Sequence, residues 1–362
     1  MNAVIRSTGT YVPVRRMSND ELPKHLDTSD EWIVSHTGIR NRHLAADDQA
    51  TSDLCVEAAR KALHRAQMEP AEINMILVAT ATPDYVGFPA TACIVQDKLG
   101  AANAAAMDLT AGCTGFIYGL ETARGFIASG FARNVLLIGA EILTRHIDWQ
   151  DRNTCVLFGD GAGAAVVSAE EGPEPTGVLH TYIRAEGSGA HLLERTAGGS
   201  RFPYREGSTR QNDTYLKMEG RQVYNFAVRV IVETIQTLLD KANLTVDRLK
   251  YIVPHQANVR IIEAAAKRAR IPLEKFYINI QEFANTSAAT IPIALAEMQG
   301  KHLLDPGDLI LTVGFGAGLT YGGNLLRWTA PPERAAAPPE RAAAPPERAA
   351  APPERAAAPH HP

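Results

Sequence analysis

Three side chains, far apart in the chain, are of the types that combine into nucleophilic and oxyanion chemistry: Cys113, His255 and Asn285. Cys113 lies in Ala-Gly-Cys-Thr-Gly-Phe, where small neighbours let another molecule approach the sulfur. The segment Phe116 to Ser129 reads as a helix starting just after it. A helix N-terminus favours thiolate over thiol. The ordinary alternative is a small buried hydrophobe, the reading given to Cys55 and Cys93 in their apolar runs. His255, in Val-Pro-His-Gln-Ala-Asn, falls between a strand and a helix, and such a histidine taken alone is more often a satisfied loop histidine than a catalyst. Asn285, in Ala-Asn-Thr-Ser-Ala-Ala-Thr, reads equally as a helix N-cap.

Placement is what lifts the three above these separate readings. The body of the chain carries a weak internal duplication. A helical stretch, Asp53 to Gln67, leads to an apolar strand, Ile76 to Ala79. Likewise Val223 to Lys241 leads to the strand Tyr251 to Val253. Helical stretches follow, Thr91 to Leu99 and Val259 to Arg268. Then Met107 to Gly115 and Ile278 to Ser287 each run from a strand through a turn into a helix. Apolar strands come next, Val135 to Ile138 and Leu309 to Val313. Each half nears its end with a Phe-Gly element and one more strand, at Phe158 and at Phe315. Such alternation predicts sheets covered by helices. The boundary falls in the Glu/Gly/Pro-rich Glu170–Pro175, giving halves 1–170 and 171–330. Cys113 and Asn285 then occupy equivalent corners facing each other across a pseudo-twofold axis. His255 joins them at the carboxyl end of a strand, where open α/β folds place their sites.

Composition limits the alternatives. The 362 residues are 45% hydrophobic and 21% charged, as in ordinary globular proteins, and the net charge of −4 argues against nucleic-acid binding by the whole molecule. No apolar run is long enough for a transmembrane helix. The start, Met1 to Thr10, lacks a leader pattern and reads as a first strand, Ala3 to Ile5, entering a turn, so a cytoplasmic location is expected. The cysteines at 55, 93, 113 and 155 form no C-x-x-C pair, so neither a metal site nor a disulfide framework is expected. Gly159-x-Gly-x-Gly163 runs into the strand-like Ala-Ala-Val-Val, whereas a dinucleotide fingerprint needs a helix there. From Pro331 the unit Pro-Pro-Glu-Arg-Ala-Ala-Ala repeats four times, so 331–362 is expected to be a solvated tail.

The motifs taken together are more specific. Asp-Thr-Ser-Asp-Glu-Trp-Ile-Val around Trp32, Thr-Gly-Ile-Arg at 37–40, Gly-Cys-Thr-Gly-Phe, Leu-Phe-Gly-Asp-Gly-Ala-Gly-Ala, His-Gln-Ala-Asn, Asn-Thr-Ser-Ala-Ala and Gly-Phe-Gly-Ala-Gly occur in this order. From about Ala3 to Trp328 the chain resembles the ketoacyl-ACP synthase III family. The resemblance implies a five-layered αβαβα thiolase-like fold, a homodimer, and priming of type II fatty-acid synthesis. The reaction would be decarboxylative condensation of an acyl-CoA, with acetyl-CoA the expected primer, and malonyl-ACP. No cofactor is implied. Relatives that act in secondary metabolism share the triad. A non-catalytic binder of acyl-CoA or carrier protein is the reading from another class, and the intact Cys, His and Asn argue against it.

The resemblance also implies roles. Cys113 is the nucleophile, and His255 and Asn285 donate to the enolate. The backbone N–H groups of Cys113 and Ala317 form a second oxyanion site. Trp32 stacks on the adenine of CoA with Arg152 on its other face, and Thr37, Asn258 and Gly220 line the pantetheine path. Phe88, Leu143 and Phe158 bound the acyl pocket, with Phe88 reaching across the dimer. Arg260, Lys267 and Arg268 present a docking patch to an acidic acyl carrier protein, while Val259, Ile262, Ala266 and Ala269 form the opposite, apolar face. Three positions depart from the family pattern: His36 where Arg is common, Ala284 where Gly is common, and Asn225 where Lys is common.

Overall fold

The computed structural model describes residues 1–207 and 209–329. The repeat segment 331–362 lies outside them. The strands are β1 (Asn2–Tyr11), β2 (Arg15–Ser18), β3 (Asn41–Leu44), β4 (Met75–Ala79), β5 (Ala105–Leu109), β6 (Asn134–Glu141), β7 (Gly161–Glu170), β8 (Gly177–Ala185), β9 (Leu193–Arg195), β10 (Leu216–Met218), β11 (Tyr251–Pro254), β12 (Leu309–Gly316) and β13 (Thr320–Arg327). The helices are α1 (Asp30–Thr37), α2 (Thr51–Ala66), α3 (Thr91–Leu99), α4 (Gly115–Ala128), α5 (Arg152–Cys155), α6 (Gly220–Ala242), α7 (Val259–Ala269), α8 (Ile280–Phe283) and α9 (Thr290–Gly300).

Two sheets carry the body. One has the order β1-β7-β6-β4-β5 and the other β11-β12-β13-β8. In the first, β4 runs parallel to β6, β6 antiparallel to β7, and β7 antiparallel to β1. The second repeats that pattern: β11 parallel to β12, β12 antiparallel to β13, and β13 antiparallel to β8. The counterpart of β5 is reduced to a single parallel bridge between Ile252 and Phe276. The strand expected at Ile278 therefore does not form, and the short α8 occupies the approach to Asn285 instead.

Helices α4 and α9 lie between the sheets. Their Phe116, Leu120, Ile291 and Leu295 interleave with Leu77 and Val135 of one sheet and Ile310 and Leu326 of the other. Helices α2 and α3 cover the outer face of the first sheet, and α6 and α7 that of the second. Five layers, αβαβα, result, and the fold is thiolase-like. The central strands are buried on both faces, which explains the unbroken apolar runs in β6 and β7. Complete burial of a side chain such as Phe116 or Leu120 stabilises by ~1.5–3 kcal/mol. Strand β7 starts at Gly161, so the Gly159–Gly163 run enters a strand as expected.

Two local expectations change. Cys93 is exposed on α3 rather than buried. On α7 the buried side chains are Ile261, Ile262, Ala265 and Ala266, while Val259 and Ala269 are half-covered, so the apolar face is rotated from the expected one.

Candidate active site

Each member of the triad comes from a chain break at the end of a strand or short helix. Cys113 sits in a 3-10 turn, Gly112–Thr114, between β5 and α4. Gly112 is needed there. Its φ is +52°, and a Cβ on it would lie 2.9 Å from the Ala317 nitrogen. A Cβ on Gly316 would lie 2.5 Å from the Cys113 nitrogen. Only glycines let the Cys113 turn and the Gly316-Ala317 backbone approach so closely. His255 follows β11 and is anchored by its N–H to the Val313 carbonyl at 2.7 Å.

Asn285 is held on both sides by the Phe-Gly motif. Its N–H donates to Leu157 O at 2.9 Å, and Gly159 N–H donates to Asn285 O at 3.1 Å. Ala284, just before it, has φ +56°, a region that favours glycine and strains alanine. The departure noted in the sequence thus falls where the backbone wants Gly.

All three side chains line one cavity of about 200 Å³. The Asn285 Oδ1 accepts the Ser287 N–H at 2.8 Å, which leaves its Nδ2 as the end free to donate. The Phe315 ring meets the His255 ring edge-on, with centroids 5.4 Å apart. His255 Nδ1 shares a hydrogen bond of 2.8 Å with Thr290 Oγ1, and its buried Nε2 has no protein partner. Burial pushes the imidazole down to about 3, so it is neutral at ordinary pH.

The Cys113 thiol departs from expectation. Burial pushes it up to about 12, and the neighbouring Ser287 hydroxyl opposes this only in part. Helix α4 begins two residues later. Burial therefore favours the thiol over the thiolate.

Behind the cavity lies Glu141, which no sequence motif marked. It is fully buried and accepts from Ser287 Oγ at 3.0 Å and from Ala81 N–H at 3.1 Å. Burial raises it to about 7 against these hydrogen bonds.

The remaining expected residues divide. Leu143, Phe158, Gly220, Asn258 and Ala317 line the cavity. Asn258 also caps α7, accepting the Arg260 N–H at 2.8 Å. Thr37 does not line it: its hydroxyl is buried, donating to Ile33 O at 2.7 Å and accepting from Ile39 N–H at 3.0 Å. Trp32 lies outside the cavity, half-buried, with two side chains against its ring. The His36 ring stacks on it at 4.3 Å, and the Arg152 guanidinium lies 4.9 Å from its ring. Arg260, Lys267 and Arg268 are exposed on α7, and Arg260 Nε donates to Ser35 O at 2.9 Å. Phe88 is 88% exposed and far from covered by its own chain. Leu193, Leu216 and Met218, from the small β9–β10 hairpin, close the cavity and carried no sequence signal.

A cysteine, a neutral histidine and an amide converging between the halves of a thiolase-like fold define a condensing enzyme, a class of acyltransferases. Comparison with known proteins is more specific. Residues 107–187 match the model of 3-oxoacyl-[acyl-carrier-protein (ACP)] synthase III, and 239–328 match its C-terminal model. The β-ketoacyl-[acyl-carrier-protein] synthase III of Caldanaerobacter subterraneus is 50% identical, over 90% of this chain and 98% of that one. The crystal structure of 3-oxoacyl-[acyl-carrier-protein] synthase III from Aquifex aeolicus superposes with a TM-score of 0.83 at 44% identity, covering 90% of this chain and 100% of that one. The priming β-ketosynthase of a polyketide biosynthetic pathway also superposes with a TM-score of 0.83, at 34% identity, over 91% and 97% of the two chains. The chain belongs to the β-ketoacyl-[acyl-carrier-protein] synthase III family.

Proposed function

We propose that this protein condenses a short acyl-CoA with malonyl-ACP, releasing CoA and carbon dioxide and forming the 3-oxoacyl-ACP that initiates fatty-acid synthesis. The observation that carries the residue assignment is the convergence of Cys113, His255 and Asn285 on one small cavity. In the first half-reaction the Cys113 sulfur attacks the thioester carbon. Its proton ends on the departing CoA sulfur. Covalent capture splits one difficult condensation into two steps. In the second, malonyl-ACP loses carbon dioxide, and charge develops on its thioester oxygen. Neutral His255 through Nε2–H and Asn285 through Nδ2 donate to that oxygen. The carbanion attacks the acyl group, and the Cys113 sulfur leaves and regains a proton from solvent. Backbone N–H groups of Cys113 and Ala317 serve the tetrahedral oxyanion. Decarboxylation itself supplies the carbanion, so the scheme calls on no cofactor.

The small volume, closed by Leu143, Phe158 and the hairpin residues, favours short primers such as acetyl-CoA. Arg152 and Trp32 take the CoA end, with Asn258 and Gly220 along the path. Thr37 supports the same path indirectly, by fixing the end of α1. Arg260, Lys267 and Arg268 receive the acidic carrier protein. A cytosolic location follows from these substrates.

A homodimer fits the exposed apolar surface of the first half. Tyr85, Val86 and Phe88, in the connection that follows β4, are 56%, 64% and 88% exposed, and β5 is one edge of that sheet. In that assembly Phe88 of each protomer reaches the acyl pocket of the other. We also read residues 1–170 and 171–330 as duplicated halves, on the repeated strand order.

The test is a screen of acyl-CoA chain lengths with malonyl-ACP, following carbon dioxide and 3-oxoacyl-ACP. Highest kcat/KM with acetyl-CoA or another short primer is expected. Absence of condensation with every acyl-CoA would overturn the reading.

A further inference from the structure

We propose that Thr290 is a positioning residue that fixes the tautomer of His255, holding the ring proton on Nε2 where the substrate oxygen will lie. The inference rests on the condensing role given to His255 above, and deepens it.

A neutral imidazole carries one N–H, and whichever nitrogen lacks it must accept. His255 is 2% exposed, so the state of Nδ1 is set by the protein. That atom lies 2.8 Å from Thr290 Oγ1. The hydroxyl has one proton and two acceptors in reach, since Ser287 O is 3.0 Å away. Ser287 O, however, already receives the backbone N–H of Thr290 at the start of α9. Of the two acceptors Nδ1 makes the shorter contact, 2.8 Å against 3.0 Å, and Ser287 O keeps a donor without the hydroxyl, so we assign the hydroxyl proton to Nδ1. Donation there makes Nδ1 the acceptor and places the ring proton on Nε2. Nε2 is the ring nitrogen with no protein partner, and the ring lines the cavity. An enolate oxygen needs this donor. The other tautomer would present it with a lone pair.

The edge-on Phe315 ring restrains the plane of the imidazole but cannot choose its tautomer. Thr290 supplies the choice from one turn into the chain after Asn285. The two enolate donors are thereby set from one short segment: Ser287 N–H orients the Asn285 amide and Thr290 Oγ1–H orients His255.

The experiment uses the full chain with 15N-labelled histidine, as wild type, Thr290→Val and Thr290→Ser. Nitrogen NMR reads the tautomer of His255, assigned by its loss in His255→Gln. Malonyl-ACP decarboxylation and single-turnover self-acylation are measured beside it. In the wild type the proton is expected on Nε2. Thr290→Val should lose that preference and slow decarboxylation at least tenfold, with self-acylation changed less than threefold. Thr290→Ser should restore both the signal and the rate. A wild-type proton on Nδ1 overturns the proposal, as does a Thr290→Val enzyme with unchanged tautomer or with equal loss of both half-reactions. If Thr290→Val fails to fold, the wild-type spectrum and Thr290→Ser still decide. A wild type that never decarboxylates malonyl-ACP would instead refute the condensing role, with the tautomer still readable.

Discussion

The Cys113 and Asn285 corners solve one backbone problem in two ways. Each sets its functional residue directly after a residue of positive φ, Cys113 inside and Asn285 two residues ahead of a 3-10 turn that leads into a central helix. Gly112 at φ +52° precedes Cys113, and Ala284 at φ +56° precedes Asn285. At the first corner glycine adopts the conformation without a steric penalty. At the second a buried alanine adopts it under strain, and Ser287, at φ +50°, follows three residues on. The corners also differ in how they fix their chemistry. Backbone packing against Gly316 and Ala317 fixes the sulfur, whereas a net of side-chain and backbone hydrogen bonds fixes the amide and the histidine. Close approach is sensitive to a single added carbon. A hydrogen-bonded corner tolerates strain as long as its anchors hold.

The largest effect is expected at the sulfur. Cys113→Ala removes the nucleophile, and intact-mass measurement after mixing with acetyl-CoA should show no acyl-enzyme. Acylation of that variant would mean that the chemistry lies elsewhere. Next, Gly112→Ala should cost about a hundredfold in self-acylation rate, because its Cβ would meet the Ala317 backbone and displace the sulfur. A rate within threefold of wild type would show that the glycine corner is not the precise one.

Away from the corners, Arg260→Glu should lower kcat/KM for malonyl-ACP about tenfold at low salt, less at high salt, and leave self-acylation nearly intact. No change at low salt would make α7 a solvated face only. The smallest effect sharpens the comparison most. Ala284→Gly relieves strain and should raise stability by about 1 kcal/mol, seen as a rise in Tm of about 2 °C with activity retained. A fall in Tm would mean that the second corner is not strained.

Much of this was legible in the sequence. The triad stood out because duplicated strand-to-helix patterns put Cys113 and Asn285 at matching places. The Phe-Gly element at 158 read as a strand approach, and it forms the two backbone bonds that hold Asn285. What escaped depends on three-dimensional surroundings. The Cys113 thiol was expected low because a helix follows it. Burial, which no local pattern reports, dominates and pushes it up to about 12. Glu141 and Thr290 sit in ordinary strand and helix positions, and only the folded chain brings them to Ser287 and His255. The strand expected at Ile278 failed because that edge of the second sheet closes with one bridge, at Phe276.

The central claim is a division of labour, with the sulfur serving both half-reactions and the hydrogen-bonded corner serving decarboxylation. It is tested most directly by measuring malonyl-ACP decarboxylation and single-turnover self-acylation side by side in His255→Ala and Asn285→Ala. Each variant should lose about a hundredfold to a thousandfold in decarboxylation, the usual effect of removing one oxyanion donor, and less than about tenfold in self-acylation. Equal losses in both half-reactions, in both variants, would contradict the account.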